Sequence, residues 1–407
     1  MLDWEKIFAT RSVRMRASEI RELLKLLDRH DIISFAGGIP DPALFPNEEF
    51  QSVYSEIFSG PTVSAALQYS VSEGYLPLRR WLSDEMAKIG ITAGPENIFI
   101  TSGSQQGLDY IGKLFLSPND TALVTWPTYL GALQAFNAYE PKYDQLTLNG
   151  NRTPDSYRAA ASDAGGSVKF AYLSADFSNP TGETVDREGR ERLLDLAAEL
   201  DIAIIEDAAY QSLRYDGEAI PPILAIELAR NGGDIEKTRT IYSGSFSKTL
   251  APGLRVGFTV ANSQVIRKLV LMKQAADLHS STINQMAISL VAERGFDKQV
   301  EKIKAVYSHR RDCMLAALEK YMPEGVHWTK PEGGMFIWLT LPKGMDGAEL
   351  LAKSLETAKV AFVPGKAFFA DGSGANTLRM SFSCANDQMI EDGISRLGTL
   401  IRGETAA

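Results

Sequence analysis

Residues 242–258 read YSGSFSKTLAPGLRVGF, a serine-rich turn with a single lysine. Three serines and Lys248 fall within seven residues, directly after an apolar segment that predicts a strand. Ser245 and Ser247 can donate hydrogen bonds to phosphate oxygens, and Arg255 can add a charge-assisted pair. Two interpretations of Lys248 stay open at this point. It is either a clamp on a phosphate or an amine of lowered pKa that forms a Schiff base with an aldehyde.

Two other polar turns also follow predicted strands. Asp207 and Tyr210 end the segment DIAIIEDAAY (201–210), where a buried aspartate would stay ionised beside a cationic ring nitrogen and keep it protonated. The turn TSGSQQG (101–107) begins a predicted helix, and the free N–H groups and positive end of a helix favour a phosphate. Taken alone, each turn is equally consistent with an ordinary helix cap.

The order of the predicted elements favours an α/β fold. Apolar strands alternate with helices along the chain, as in a mostly parallel sheet. Four strand ends, near residues 101, 176, 207 and 244, lead into polar turns. Because the carboxyl ends of parallel strands line one edge of a sheet, we expect these turns to converge. Together they supply a lysine, a carboxylate and a phosphate cradle, the parts that a pyridoxal phosphate site requires.

Composition narrows the class of protein. The 407 residues carry a net charge of −9, which disfavours a general nucleic-acid or anionic-membrane surface. No apolar run is long enough to predict a membrane span. The two cysteines form no motif and fit a reducing compartment, so we expect a cytoplasmic protein. The four histidines are far apart in sequence, so structural roles and no metal are predicted.

The motifs carry a family resemblance over nearly the whole chain. SNPTG, EDAAY and SGSFSKTLAPGLRVGF resemble the fold type I pyridoxal phosphate aminotransferases of class I/II. The segments ASEIRELLKLL, ISFAGGIPDPALFP, LQYSVSEGY, TSGSQQGLD and ADLHSSTINQM are similar to the branch that contains 2-aminoadipate and kynurenine aminotransferases. Val71 in LQYSVSEGY stands where that branch frequently has proline, which leaves the local turn there less certain.

The resemblance implies an α/β fold with two parts. One is a large domain with a mostly parallel seven-stranded sheet, and the other is a smaller α+β domain. We expect residues 1–48 to form an N-terminal arm and helix that belong to the small domain. Residues 49–295 would form the large cofactor-binding domain, and residues 296–407 would form the rest of the small domain.

The resemblance also assigns roles to individual residues. Lys248 is similar to the Schiff-base lysine, Asp207 to the partner of the pyridinium nitrogen, and Tyr210 to a donor to the ring hydroxyl oxygen. Further residues resemble those that hold pyridoxal 5'-phosphate: Asn179, which shares the ring hydroxyl with Tyr210, Tyr129, which stacks on the ring, and Ser104, Gln105, Ser245, Ser247 and Arg255, which cradle the phosphate. Tyr69 resembles the tyrosine that reaches the phosphate of a neighbouring subunit, so a homodimer with shared active sites is implied.

Substrate binding is implied at four residues. Arg379 in NTLRMSFS resembles the arginine that holds the α-carboxylate, Gly38 lies where substrate approaches the backbone, and Asn179 lies beside them. Arg21 in SEIRELLKLL is a candidate for the distal carboxylate of 2-aminoadipate or glutamate; its position beside the apolar stripe of a predicted helix also fits a solvated arginine. Outside this context Tyr69 and Tyr129 would be ordinary half-buried aromatics, and Asn179 before a proline would be a turn residue.

These residues predict an aminotransferase. It would move an amino group by a ping-pong mechanism from an L-amino acid (2-aminoadipate, glutamate, aromatic or branched-chain) to a 2-oxo acid such as 2-oxoglutarate. The same fold also supports lyases, decarboxylases and racemases, so these stay open. A non-enzymatic aminotransferase-like sensor is a more remote alternative, because no DNA-binding segment is visible. Neither nucleic acid nor membrane is an expected partner.

Overall fold

Seven strands form the central sheet, in the order β2-β8-β7-β6-β5-β3-β4. Of these seven, β8 alone runs antiparallel to its neighbours, which confirms the predicted mostly parallel sheet. The computed structural model describes residues 2–15 and 31–405. The strands are β1 (Ile33–Ser34), β2 (Ile98–Thr101), β3 (Thr121–Val124), β4 (Lys142–Gln145), β5 (Val168–Leu173), β6 (Ala203–Asp207), β7 (Thr240–Ser245), β8 (Gly257–Val260), β9 (His327–Trp328), β10 (Phe336–Thr340), β11 (Val360–Ala361), β12 (Val363–Pro364) and β13 (Thr377–Ser381).

Helices cover both faces of this sheet, and others pack in the C-terminal part of the chain. In the described residues they are α1 (Arg11–Arg14), α2 (Asn47–Ser59), α3 (Val63–Leu67), α4 (Leu76–Lys88), α5 (Ser104–Phe115), α6 (Leu130–Asn137), α7 (Pro154–Asp163), α8 (Arg187–Leu200), α9 (Ile223–Arg230), α10 (Ser263–Gln274), α11 (Thr282–Tyr321), α12 (Gly347–Lys353) and α13 (Asp387–Thr405). None of these helices is long and apolar enough to cross a membrane.

Both faces of the central sheet are buried. In β5, Phe170 and Tyr172 pack into one apolar cluster, whereas Ala171 and Leu173 pack into another. Successive side chains of a strand point to opposite faces, so this alternation places the two clusters above and below the sheet. A strand buried on both faces reads as a continuous apolar run, which is how the sequence predicted the strands that end near residues 101, 176, 207 and 244, whereas β4 and β8 were not predicted.

A second layer of strands belongs to the C-terminal part. Strands β12, β13, β10 and β9 form an antiparallel sheet, and β1 pairs in parallel with β11. Their apolar side chains share one core with α11 and α13, including Leu318, Phe336, Leu378 and Ile394. This arrangement matches the predicted smaller α+β unit. The domain boundaries at residues 48 and 295 stay predictions.

The sequence predicts one long helical region from about residue 262 to 322, and the structure shows that it is interrupted. It consists of α10 and α11, separated by residues 275–281, where Leu278 has a left-handed φ of 65°. Within α11, Gly295 also departs from helical geometry, with φ −176° and ψ 29°. Apolar periodicity does not reveal such local breaks, so the sequence prediction merged the two helices.

Candidate active site

A cavity of about 380 Å³ opens at the carboxyl ends of β2, β5, β6 and β7. It is the point where the sequence predicted four polar turns to converge. Every predicted site residue lines it except Tyr69 and Arg21. The lining residues are Gly38, Ile39, Ser104, Gln105, Tyr129, Leu130, Gly131, Gln134, Ser174, Asn179, Asp207, Ala209, Tyr210, Ser245, Ser247, Lys248, Pro252, Arg255 and Arg379.

Lys248 projects into this cavity from the turn that follows β7. Its Nζ donates a hydrogen bond to the Gly38 carbonyl oxygen at 2.8 Å and lies 5.7 Å from the centre of the Tyr210 ring. Burial, together with the nearby charges of Arg379 and Arg255, lowers the pKa of Lys248 to about 8. A substantial fraction of this amine is therefore neutral near physiological pH, as a nucleophile or a general base requires.

Asp207 is the buried carboxylate of the cavity. The Tyr172 hydroxyl donates to its Oδ2 at 2.7 Å, and the Ala209 amide donates to Oδ1 at 3.4 Å. Burial raises the pKa of Asp207, whereas the bond from Tyr172 opposes that rise. An ionised carboxylate here is favoured by a cation at Oδ1, and a protonated ring nitrogen is such a cation.

Tyr172 can reach Asp207 because of strand register. Tyr172 on β5 lies opposite Ile205 on β6, and Asp207 comes two residues later on the same face of β6. The sequence prediction missed Tyr172, since a tyrosine inside an apolar strand looks like a core residue.

Arg379 brings a buried positive charge to the same cavity from β13. Its side chain is held by Asn179 Oδ1 at 2.7 Å and by the Ala36 carbonyl oxygen at 2.9 Å, with its guanidinium carbon 4.3 Å from the centre of the Phe336 ring. Its buried Nε has no hydrogen-bond partner within the described part of the chain. Burial lowers the pKa of Arg379 to about 10. A desolvated cation of this kind is stabilised by a carboxylate ligand.

Asn179 connects Arg379 to Tyr210. Its Nδ2 donates to the Tyr210 hydroxyl at 3.5 Å, while its Oδ1 accepts from Arg379. Burial is the main cause that raises the pKa of Tyr210, so the hydroxyl keeps its proton and can donate it in a hydrogen bond.

The predicted phosphate cradle forms where α5 begins. Gly103, just before α5, has φ 83°, and a Cβ there would lie 2.2 Å from Arg255 Nη2. The glycine therefore lets the arginine approach the helix N-terminus. Arg255 itself has a left-handed φ of 54° and donates to the carbonyl oxygens of Pro252 and Ser102. The turn after β7 is fixed by a bond from the Ser247 amide to Ser245 Oγ at 3.1 Å.

Tyr129 and Gln105 form one wall of the cavity. The Tyr129 hydroxyl donates to Gln105 Oε1 at 3.4 Å, and Gln105 Nε2 donates to the Gly131 carbonyl oxygen at 2.6 Å. These bonds fix the tyrosine at the start of α6, in a position to stack on a planar ligand.

Two predicted site residues lie elsewhere. Tyr69 is 79% exposed and makes an edge contact with His279, at 6.0 Å between ring centres. This exposure is compatible with the prediction that Tyr69 serves a neighbouring subunit. Arg21 lies outside the described residues.

The cavity also has lining residues that the sequence prediction did not include. Ile39, Leu130, Gln134 and Ser174 are among them. Gln134 lies on α6 five residues after Tyr129, a spacing that does not share a helix face, so no local pattern marked it.

The donor set fits pyridoxal 5'-phosphate. A helix N-terminus with Arg255 and two serines suits a dianionic phosphate. A buried carboxylate suits a ring cation, and a lysine of lowered pKa lines the same cavity. The individual roles of these residues stay predictions.

Known proteins with similar sequences point in the same direction. The family model for aminotransferase class I and II matches residues 64–397. The chain is 43% identical to aromatic-amino-acid aminotransferase 1 of Thermococcus litoralis, over 99% of this chain and 96% of that protein. It is also 43% identical to a 2-aminoadipate transaminase of Thermus thermophilus, over 99% and 98% of the two chains.

A solved structure extends the likeness to the fold. The kynurenine aminotransferase of Pyrococcus horikoshii, solved with PMP, superposes with a TM-score of 0.90 at 42% identity and covers 100% of this chain and 99% of that one. None of these relatives is a lyase, a decarboxylase or a racemase by name.

Proposed function

The chain belongs to the class I and II aminotransferases, and we propose that it accepts 2-aminoadipate, glutamate and aromatic or branched-chain L-amino acids. It is a pyridoxal 5'-phosphate-dependent enzyme that transfers the amino group to a 2-oxo acid. We propose 2-oxoglutarate as one such acceptor. Both relatives named above act, by their names, on members of this substrate set.

Lys248 is the proposed catalytic base and acid. When bound, pyridoxal 5'-phosphate supplies an aldehyde for amine exchange and a protonated ring that withdraws electrons from Cα of the substrate. The Lys248 amine would take the proton from Cα of the substrate and deliver it to the former aldehyde carbon of the cofactor, which then keeps the amino group. Its lowered pKa lets the same group act in both directions near pH 8.

Two further groups orient the reactants in this proposal. Asp207, held by Tyr172, keeps the ring nitrogen protonated. Arg379 binds the substrate α-carboxylate through a charge-assisted pair, and Asn179 fixes the guanidinium in place. With the carboxylate fixed this way, Cα is held within reach of Lys248.

The observation that carries this proposal is the buried Arg379 with its unbonded Nε in the same cavity as Lys248. A matching test follows one half-reaction at a time. We expect the absorbance of the bound cofactor to change on adding L-glutamate, L-2-aminoadipate, L-leucine or L-phenylalanine, and to return on adding 2-oxoglutarate.

Arg379→Met tests the carboxylate contact in the same assay. Loss of a charge-assisted contact is worth roughly 1.5–3 kcal/mol, so kcat/KM should fall about 10–100-fold for every amino acid.

Turnover without any 2-oxo acid, with release of ammonia, would contradict transamination.

Side-chain selectivity is proposed to be broad. The cavity offers apolar Ile39 and Leu130 beside polar Gln134.

We keep Arg21 as a hypothesis for binding the distal carboxylate of a dicarboxylic substrate. Comparing kcat/KM of Arg21→Ala for 2-aminoadipate and leucine tests it. A selective loss of about 10–100-fold on the dicarboxylate is expected, and equal losses on both would contradict it.

We further propose a symmetric homodimer with shared active sites, located in the cytoplasm. Support comes from exposed apolar side chains that a partner subunit would cover, among them Trp4, Phe8, Leu67 and Tyr69. Two free cysteines suit a reducing compartment. Sedimentation at assay concentrations tests the dimer, and an active monomer would contradict it.

A further inference from the structure

Three side chains with different donor atoms meet outside the active cavity. His309 and Cys313 lie one turn apart on α11, and Asp387 is the first residue of α13. His309 Nε2 is 2.9 Å from Asp387 Oδ2 and 3.6 Å from Cys313 Sγ. One donor atom from each of the three residues lies within 4.8 Å of the other two.

The spacing of these atoms matches a tetrahedral metal. Zn²⁺ takes nitrogen and oxygen ligands at about 2.0–2.2 Å and thiolate at about 2.3 Å. Tetrahedral angles then place ligand atoms about 3.3–3.6 Å apart. The observed 2.9 Å and 3.6 Å are within a few tenths of an ångström of those values, and the third pair, Cys313 and Asp387, lies within 4.8 Å. Small side-chain rotations are therefore enough to admit the ion.

We propose that His309, Cys313 and Asp387 form a binding site for Zn²⁺ with three protein ligands and a fourth position open to water. The combination of imidazole, thiolate and carboxylate favours a borderline ion such as Zn²⁺ over Mg²⁺ or Ca²⁺, which prefer oxygen ligands alone.

The site is held in place and is accessible. Helices α11 and α13 are joined further along by Lys320 Nζ, which donates to Glu391 Oε1 at 2.7 Å. His309 and Asp387 are 62% and 61% exposed at their side chains. They border an open hollow of about 450 Å³, through which an ion can enter with its water.

One nearby charge opposes a cation. Arg310 lines the same hollow, but its guanidinium is bound to Asp41 Oδ2 at 2.8 Å and to the Ser383 carbonyl oxygen. Because Asp41 offsets this charge, Arg310 lowers the affinity for a cation without blocking it.

A bound ion would tie α11 to the start of α13. The segment before Asp387 leads back to β13, which carries Arg379. The ion would therefore stabilise the C-terminal unit, since a ligand that binds the folded state alone raises its melting temperature. It would supply no step of the transfer reaction.

The test uses tag-free holoenzyme dialysed against a chelator and measured without substrate. Calorimetry with Zn²⁺ should show one ion per chain at this site, and the Tm should rise with Zn²⁺. Co²⁺ serves as a spectroscopic probe, because tetrahedral Co²⁺ with a sulfur ligand absorbs strongly in the visible. Each of His309→Ala, Cys313→Ser and Asp387→Asn should weaken Zn²⁺ binding at least about tenfold, as loss of a metal ligand does.

Matched variants separate this site from unspecific binding. His327→Ala removes an exposed histidine elsewhere, and Cys384→Ser removes the other thiol; both should bind Zn²⁺ like the wild type. Circular dichroism without metal checks that every variant is folded. The proposal is overturned if the wild type binds no Zn²⁺, if all three ligand variants bind it normally, or if Cys313→Ser alone weakens binding.

Discussion

Lys248 is the residue on which the proposed chemistry depends most. Lys248→Ala removes both the amine that joins the cofactor and the proton carrier. We expect a folded protein that holds the cofactor without a covalent bond, because the phosphate cradle is intact. Proton transfer alone contributes about 10²–10⁴-fold, so turnover should fall by at least that factor. The measurement is steady-state kcat with 2-aminoadipate or glutamate, alongside cofactor content.

A matched control is Lys343→Ala, which removes an exposed lysine far along the chain and should leave kcat unchanged. Borohydride reduction of the wild type followed by peptide mapping should label Lys248. A label on a different lysine would refute the assignment.

The lowered pKa of Lys248 predicts how the apoenzyme takes up its cofactor. The group is protonated below its pKa, and only the neutral amine attacks an aldehyde. Because the pKa is about 8, the rate of covalent loading should rise with pH through about 8 and then level off. Stopped-flow absorbance measures this rate. A midpoint near the ordinary lysine value of about 10.4 would contradict the proposed environment.

Tyr172 is a positioning residue for Asp207. The 2.7 Å bond from the Tyr172 hydroxyl to Oδ2 lowers the pKa of Asp207. Tyr172→Phe removes this bond, so the pKa of Asp207 should rise. The carboxylate must be ionised to act, so the acid limb of the pH–kcat profile should move to higher pH in the variant. A bond to a charged group is worth about 1.5–3 kcal/mol, so kcat should fall by up to about 10–100-fold.

Tyr157→Phe is the control for this loss, since Tyr157 is a buried tyrosine that bonds to the Gln145 carbonyl oxygen instead. It should leave the pH profile in place. A fall in kcat for Tyr172→Phe without movement of the acid limb would indicate a merely structural role.

At the scale of single residues, short sequence motifs predicted the candidate site better than the apolar pattern of the chain did. Lys248 and Asp207 stand in short motifs with fixed chemistry, and the structure places both in one cavity. Tyr172 has no such motif. Its contact depends on the pairing of β5 with β6, which are joined by a helix, and on which face each residue occupies. The proposed metal ligands His309, Cys313 and Asp387 have no sequence motif either. Asp387 lies on another helix, 74 residues after Cys313 in the sequence.

At the level of single elements, the start of α5 decides whether the phosphate is held. Gly103→Ala adds a Cβ at a φ of 83° and about 2.2 Å from Arg255 Nη2. The arginine must move, so cofactor affinity should fall at least about tenfold, the expected loss of one charge-assisted contact. Equilibrium titration of the apoenzyme with the cofactor measures this.

Gly165→Ala is a matched control for backbone strain. Gly165 has a φ of 86°, and none of the described residues lies within 4 Å of an added Cβ. Both variants should lose about 1–3 kcal/mol of stability in urea unfolding, since both strain the backbone. Equal cofactor affinity in the two variants would mean that Gly103 does not set the position of Arg255.

The ends of a helix were predicted best where the capping residues lie next to that helix in the sequence. The segment REGRERLLDLAAEL (187–200) predicts a helix, and α8 spans the same residues. Its ends are fixed locally, because Asp186 Oδ1 accepts from the Gly189 amide at 2.7 Å and Asp201 ends the helix at φ 54°. The break between α10 and α11 was missed, since it depends on the left-handed Leu278 and not on glycine or proline. Strand β8 was not predicted, and its antiparallel direction depends on non-local pairing.

At the scale of the whole molecule, the active site joins two layers of the fold. Arg379 comes from the antiparallel sheet, while Lys248 and Asp207 come from the central one. Composition and periodicity predicted the central sheet but could not place Arg379, whose position followed from the family resemblance. Contact between Arg379 and Asn179, 200 residues apart, is a property of the assembled core.

The shared active site predicts that two impaired variants restore activity when they are combined in one dimer. In a homodimer, Tyr69 of one subunit would reach the phosphate held by the other. Tyr69→Ala should lower cofactor affinity and kcat/KM by about 10–100-fold, the value of a hydrogen bond to a charged group. A mixed dimer of Lys248→Ala and Tyr69→Ala then contains one intact site, formed by Lys248 of one subunit and Tyr69 of the other.

Co-expression with two different affinity tags isolates this mixed dimer. Its kcat/KM should be about half that of the wild-type dimer, because one of two sites works. A mixed dimer of Lys248→Ala with a subunit that carries both changes is the control, and it should stay inactive, since no site has both residues. If the first mixed dimer is no more active than the mean of its parents, Tyr69 acts within its own subunit or not at all, and the exposed Tyr69 needs another explanation.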